Sequence, residues 1–296
     1  SAKPFQPLPF VEMGGVGSFK LSMRELAVLC ASHIGTDDHF SVVSGIQKKI
    51  GVTEQDLLCG THPPYDYETA KRLLLQGLSP TPNRHNCSGK HTGMLAHVTL
   101  RRLDKKDYVN PAHPVQQSIL AAFCQMCEID AMKVELGTDG CSAPVFAVPL
   151  YNAALAFARL ADPAGLPERR ADALRMIYQA MTSNPDMISG PQQFDTRLME
   201  VMGGKVVVKG GAEGYQALGI APGVLGPGKP GVGITFKISD GDSHNRARPV
   251  VALEILRQLG VLSASQASAL AEFDRRKIQN WRKLDVGEFR TCFKLD

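Results

Sequence analysis

The sequence predicts an α+β fold in which a large helical region precedes a small antiparallel sheet. Three observations carry that prediction. Apolar residues recur at helical spacing through most of the first two-thirds of the chain. The β-branched and alternating runs come late, between Lys205 and Ser239. Helical and extended signals do not alternate as a βαβ pattern demands, so a parallel sheet is not expected.

In chain order, Leu21 to Cys30 opens with Ser22 and Glu25, the spacing of a capping box. Asp38 to Ile50 and Tyr67 to Leu78 read as further helices, each closed by a nearby Gly or Pro. Lys90 to Arg101, Val115 to Cys127, Ala153 to Leu160 and Arg169 to Met181 follow the same pattern. Lys205 to Lys209 is a short β-branched run, and Gly231 to Ser239 alternates before turning at Asp240-Gly241. Ala247 to Leu259 and Ser265 to Phe273 read as closing helices. The chain has 296 residues and is 44% hydrophobic, enough for one sizeable core. No repeat or linker divides it, so a single domain over 1–296 is expected.

A net charge of +4 is scattered, the basic runs Lys105-Lys106 and Arg275-Arg276-Lys277 are short, and only 6% of residues are aromatic. That argues against a nucleic-acid partner. No run reaches the ~20 apolar residues of a membrane span. The first residues lack the charged-then-apolar order of a secretory signal. Seven cysteines, odd in number and dispersed, predict reduced thiols and a cytoplasmic location.

Several motifs are weak. Gly226-x-Gly228-x-x-Gly231 is interrupted by Pro227 and Pro230 and reads as a loop. Gly89-Lys90 lacks the first glycine and the Ser/Thr of a phosphate loop. Cys124 with Cys127 reads as two buried helix thiols, and Cys59 with His62 as part of a loop. His85, His97 and His113 read as ordinary polar residues, and Asp195 as a helix cap.

Two segments concentrate chemistry. Asn86-Cys87-Ser88-Gly89-Lys90-His91 places a thiol, a hydroxyl, an amine and an imidazole at an expected helix start, where unpaired N–H groups favour a thiolate. Cys87 and Lys90 fall on one face if that turn is helical. Gly137-Thr138-Asp139-Gly140-Cys141-Ser142 sets a carboxylate and a second thiol two residues apart. Two thiolates suit zinc.

Four strings in order then become specific: Cys30-Ala31-Ser32-His33, Asn86 to Met94, Asp139 to Pro144, and Lys209-Gly210-Gly211-Ala212-Glu213-Gly214. They resemble the L-asparaginase II family from about Ser1 to Ser239. The resemblance implies a serine β-lactamase-like fold, a homodimer, asparagine as substrate, and two serine–lysine tandems near a Zn²⁺ ion. Carried over by position, Cys87, Lys90 and Cys141 match the metal ligands and Asp139 the carboxylate behind them. Ser32 matches the serine of the second tandem, with Lys209 as its lysine and Gly210 beside it at the substrate. Lys237, in the other late strand, is the less favoured lysine. Ser88 and His91 are expected to touch substrate. Lys3 matches the lysine of the Ser-x-x-Lys tandem, whose serine would fall one position before Ser1. That serine and the sheet strands before it are expected to be missing from the chain as given, through truncation or real loss. Two alternatives stay open: a β-lactam or peptide amidase of the same fold, and an inactive zinc-binding pseudoenzyme.

Overall fold

The computed structural model describes residues 1–242, 245–274 and 277–295; Arg275 and Arg276 of the basic run lie outside them. The first twenty residues form helical turns that their prolines disguise in the sequence. Lys3–Phe5 is a 3₁₀ turn, followed by α1 (Leu8–Glu12) and α2 (Gly15–Ser18). Pro4 and Pro9 stand in the opening turns of their elements, where a missing N–H removes no helical hydrogen bond. Phe5 drops into the core against Phe123 and Phe157, with ring centroids 6.0 and 5.5 Å away.

The expected helices follow. α3 (Met23–Leu29) starts at a complete Ser22–Glu25 capping box, and α4 (Asp37–Ile50) is capped by Thr36 and stopped by Gly51. α5 (Tyr67–Leu75) ends three residues earlier than its periodicity suggests, and Gly77 follows in the left-handed region at φ 66°. α6 (Ser88–Leu100) and α7 (Pro114–Cys127) come next. The hairpin β1 (Glu135–Thr138) and β2 (Pro144–Ala147) was not anticipated; it brackets the turn that holds Asp139 and Cys141. α8 (Leu150–Ala161), α9 (Glu168–Ser183), α10 (Pro185–Ser189) and α11 (Phe194–Met202) lead into the sheet.

That sheet is antiparallel, in the order β3 (Val206–Gly210), β4 (Tyr215–Ile220), β5 (Val232–Lys237). β4 escapes a reading by alternation because, as the central strand, five of its six residues are buried. α8 lies across β4 and β5, so closely that a Cβ on Gly233 would stand 1.8 Å from the Ala154 carbonyl oxygen. α12 (Ala247–Gln258), α13 (Ala264–Ala269) and the hairpin β6 (Lys277–Gln279) with β7 (Asp285–Glu288) complete the described chain. The α+β expectation therefore stands, with the helices dominant. One contiguous apolar cluster runs from Phe5 to Phe273 and joins the helices to the sheet. No helix among the described residues is long and apolar enough to cross a membrane.

Candidate active site and metal cluster

Ser32 stands just beyond the end of α3, its N–H donating to the Ile188 carbonyl at 2.9 Å. It lines a cavity of about 580 Å³ whose opposite wall is the end of β3 and the loop after it. The Lys3 amine donates to Ser32 Oγ at 2.6 Å and to Cys87 Sγ at 3.3 Å. One lysine thus joins the cavity serine to a thiol behind it. The sequence paired Ser32 with Lys209. Lys209 lines the same cavity, but the hydrogen bond its amine makes is to the Gly210 carbonyl, at 2.8 Å. Lys209 is fully buried; burial first, then the charge of Lys3, brings its pKa from 10.5 down to about 7.

Asp195 is the residue that sequence reasoning undervalued. It lies in the first turn of α11 without serving as its cap. Its carboxylate accepts from the Gly210 N–H at 2.6 Å and from the Gln216 amide at 3.0 Å. It therefore fixes β3 to β4 beside Lys209 and lines the cavity. Its signal, an acid in a helix's first turn, is shared by many purely structural residues. Arg248 lines the cavity too, donating to the Gly211 and Tyr215 carbonyls at 3.1 and 3.0 Å. A backbone oxyanion site at these positions is closed: the N–H groups of Ser32, Gly210 and Gly211 are all spent on protein acceptors.

Behind Lys3, Cys87 caps α6, and Cys141 and Asp139 reach it from the β1–β2 turn. Donor atoms of Cys87, Asp139 and Cys141 all lie within 4.8 Å of one another. The seating of α6 against α3 depends on Gly89, because a Cβ there would stand 2.1 Å from the Val28 carbonyl oxygen of α3. The Cys141 hydrogen bond, the main cause, and the cations Lys3 and Lys90 hold the Cys87 thiol pKa well below the ordinary value despite burial. Cys141, its partner, is raised and stays a thiol. The Lys90 amine donates to Asp139 Oδ2 at 2.8 Å. Burial opposes its charge, yet the Cys87 thiolate and the Asp139 carboxylate hold its pKa above 10.5. Asp139 thus offers a donor atom to the same group as the two thiols, while Lys90 faces it as a cation.

Ser88 and His91 do not line the cavity, whereas Gly210 does. Ser88 is fully buried: its hydroxyl donates to the Asn83 carbonyl and accepts from His33, whose other ring nitrogen takes the Gly35 N–H. His91 is buried against Tyr108, whose hydroxyl bonds it at 2.6 Å; burial and then Lys90 lower its pKa to about 3. Lys237 is exposed and donates to the Glu213 carbonyl. All seven cysteines are unpaired, Cys124 and Cys127 among the buried ones, and Cys59 donates to the Gly60 and Pro82 carbonyls. His62 stacks on Tyr65 and accepts from the Asn86 N–H. The Gly226–Gly231 segment is a turn-rich loop that runs into β5, not into a helix.

A serine held by a lysine at a polar cavity, backed by a thiolate–carboxylate cluster, is the class of site this fold presents. The chain belongs to the L-asparaginase II family, whose model matches residues 1–291. No curated protein matches it.

Proposed function

We propose that this protein is an L-asparagine amidohydrolase that converts the side-chain amide to aspartate and ammonia. The observation that carries the proposal is the 2.6 Å contact of Ser32 with Lys3 at the wall of a cavity shared with Lys209. Because Lys3 donates to Ser32 Oγ, the serine's own proton is free to pass elsewhere. Lys209, the amine that burial neutralises near pH 7, is the base that takes it. Ser32 Oγ then bonds to the amide carbon, with Lys3 supporting the developing charge. Lys209 returns the proton to the leaving nitrogen, the carbon–nitrogen bond breaks, and ammonia departs. Water, deprotonated by Lys209, attacks the ester carbon; the carbon–Oγ bond breaks, Ser32 Oγ takes the proton back from Lys209, and aspartate leaves. With the N–H groups of Ser32, Gly210 and Gly211 committed, we assign the cations Lys3 and Arg248 to the carbonyl oxygen and the substrate carboxylate.

The cluster behind Lys3 suits Zn²⁺: two sulfurs and one carboxylate oxygen converge, and Cys87 already carries the charge a ligand needs. Cys87, Cys141 and Asp139 would hold the ion, with Lys90 adjoining. Bound there, the ion would supply a fixed positive charge that orders the start of α6. We also read the architecture as serine β-lactamase-like, since the strand carrying Lys209 faces a helical region carrying Ser32. Homodimer assembly and a reducing, cytoplasmic compartment belong to the same proposal, the second supported by seven unpaired cysteines.

Ammonia release from asparagine and glutamine, and ring opening of a chromogenic β-lactam, by the wild-type chain and Ser32→Ala test the reading. Asparagine turnover that disappears with Ser32 supports it. Turnover of the β-lactam alone, or activity undiminished in Ser32→Ala, overturns it.

A further inference from the structure

A second cavity, of about 730 Å³, lies among α1, α6, α7 and the start of α9. None of its lining residues is shared with the Ser32 cavity. Its character is set by two observations. The first is His97, in the last turn of α6, which lines the cavity and is only 1% exposed. Both of its ring nitrogens are buried, and neither has a hydrogen-bond partner among the described residues. A buried imidazole left in that state is unfavourable, so a group that bonds it is favoured. Burial, followed by the charges of Arg101 and His113, lowers its pKa to about 4. At neutral pH it therefore offers one N–H and one lone pair.

The second observation is charge. Three arginines, 101, 169 and 170, line the cavity against one carboxylate, Glu12. Glu12 is consumed by Arg170 in an ion pair. Arg101 is bonded only to neutral acceptors, the Pro114 carbonyl and Ser118. Arg169 donates to the Glu12 backbone carbonyl. Neither Arg101 nor Arg169 has an ion-pair partner among the described residues, which leaves an excess of two positive charges. Ser118 and Gln125 add neutral polar groups, and the apolar part of the wall includes Pro9, Met126, Leu166 and Pro167.

We propose that this cavity binds a small organic anion: a carboxylate that takes the His97 N–H and the charge of Arg101 and Arg169, on a short apolar body. The site stands ~15 Å along α6 from Cys87, by the rise of a helix over ten residues. It is independent of the proposed amidohydrolase activity.

The probe is hexanoate, with hexan-1-ol and hexylammonium as neutral and cationic controls of the same length. Binding is followed by calorimetry and by the side-chain ¹⁵N signals of His97. Saturable 1:1 binding of hexanoate, at least about tenfold tighter than of either control, is expected, since a charge-assisted hydrogen bond is strong enough for that ratio. The His97 ring should settle into one tautomer as the site fills. Arg169→Gln, at an exposed position that leaves the core untouched, should weaken hexanoate about tenfold and leave hexan-1-ol unchanged. His97→Phe should remove the preference for the anion. No saturable binding, equal binding of the three probes, or binding that leaves the His97 signals unmoved would overturn the proposal.

Discussion

Replacing Lys209 with methionine should stabilise the protein at neutral and acid pH, with a gain that shrinks as pH rises. The Lys209 amine is 1% exposed, and its pKa falls from 10.5 to about 7 through burial and the charges of Lys3 and Arg248, against the pull of Asp195. Between those two values the unfolded chain binds one proton that the native protein does not. Stability therefore climbs with pH, by a little over ~1 kcal/mol per unit. Across the whole window the change accumulates to roughly 5 kcal/mol. Below pH 7 both states are protonated and the native protein bears the full cost of a buried ammonium. Above 10.5 both are neutral and the cost is gone. Methionine keeps most of the volume and cannot be charged, so this slope should be missing. Urea unfolding of both proteins at about pH 6, 8 and 10 provides the assay. The variant should be more stable by several kcal/mol at the lowest pH, and the two should converge at the highest. Parallel pH dependences would refute the assignment of a neutralised lysine beside Ser32.

The same ionisation predicts that kcat/KM for asparagine rises with pH through a midpoint near 7, as Lys209 loses its proton. A flat or falling profile in stopped ammonia assays would remove Lys209 as the base. Ser32→Ala should lower kcat by at least about 10³-fold with an unchanged unfolding midpoint; a small loss would place the nucleophile elsewhere. Gly89→Ala should cost roughly 3 kcal/mol or prevent folding, because the added carbon meets the backbone oxygen of Val28 and not a movable side chain. Thermal unfolding within 2 °C or so of wild type would contradict that packing.

Local chemistry made the helices readable. Ser22 with Glu25 announces α3 within four residues, and Gly51 closes α4 in the left-handed conformation that suits glycine. The chemical strings were readable for the same reason, since Cys87 to His91 and Asp139 to Cys141 are each contiguous. What stayed hidden is long-range. Lys3 meets Ser32 across 29 positions and Cys87 across 84, and nothing at those sites signals that one amine serves both. Asp195 acquires its role from Gly210 and Gln216, on strands whose pairing no local pattern specifies. Ser88 and His91 belong to the right string but face Asn83, His33 and Tyr108, away from the cavity. His97 is unremarkable in sequence because its burial beside a cavity is decided by the packing of α1 and α7 on α6.

Metal binding separates the ligand set inferred from the family from the one the fold assembles. As arranged, Cys87 thiolate and the Asp139 carboxylate carry two negative charges, and Lys3 and Lys90 two positive ones. Zinc held by Cys87, Asp139 and Cys141 requires one proton to leave, that of the Cys141 thiol. Zinc held by Cys87, Lys90 and Cys141 requires a second, from an amine whose surroundings keep it charged. Calorimetric zinc titrations in buffers of different ionisation enthalpy count these protons directly. One proton per ion points to the carboxylate set and leaves Lys90 as a countercharge. Two protons restore the lysine as a ligand and free Asp139 from its ion pair. None, in a chain that still binds zinc, would mean that Cys141 is not a ligand at all and that the sulfur pair serves only to hold α6 against the β1–β2 turn.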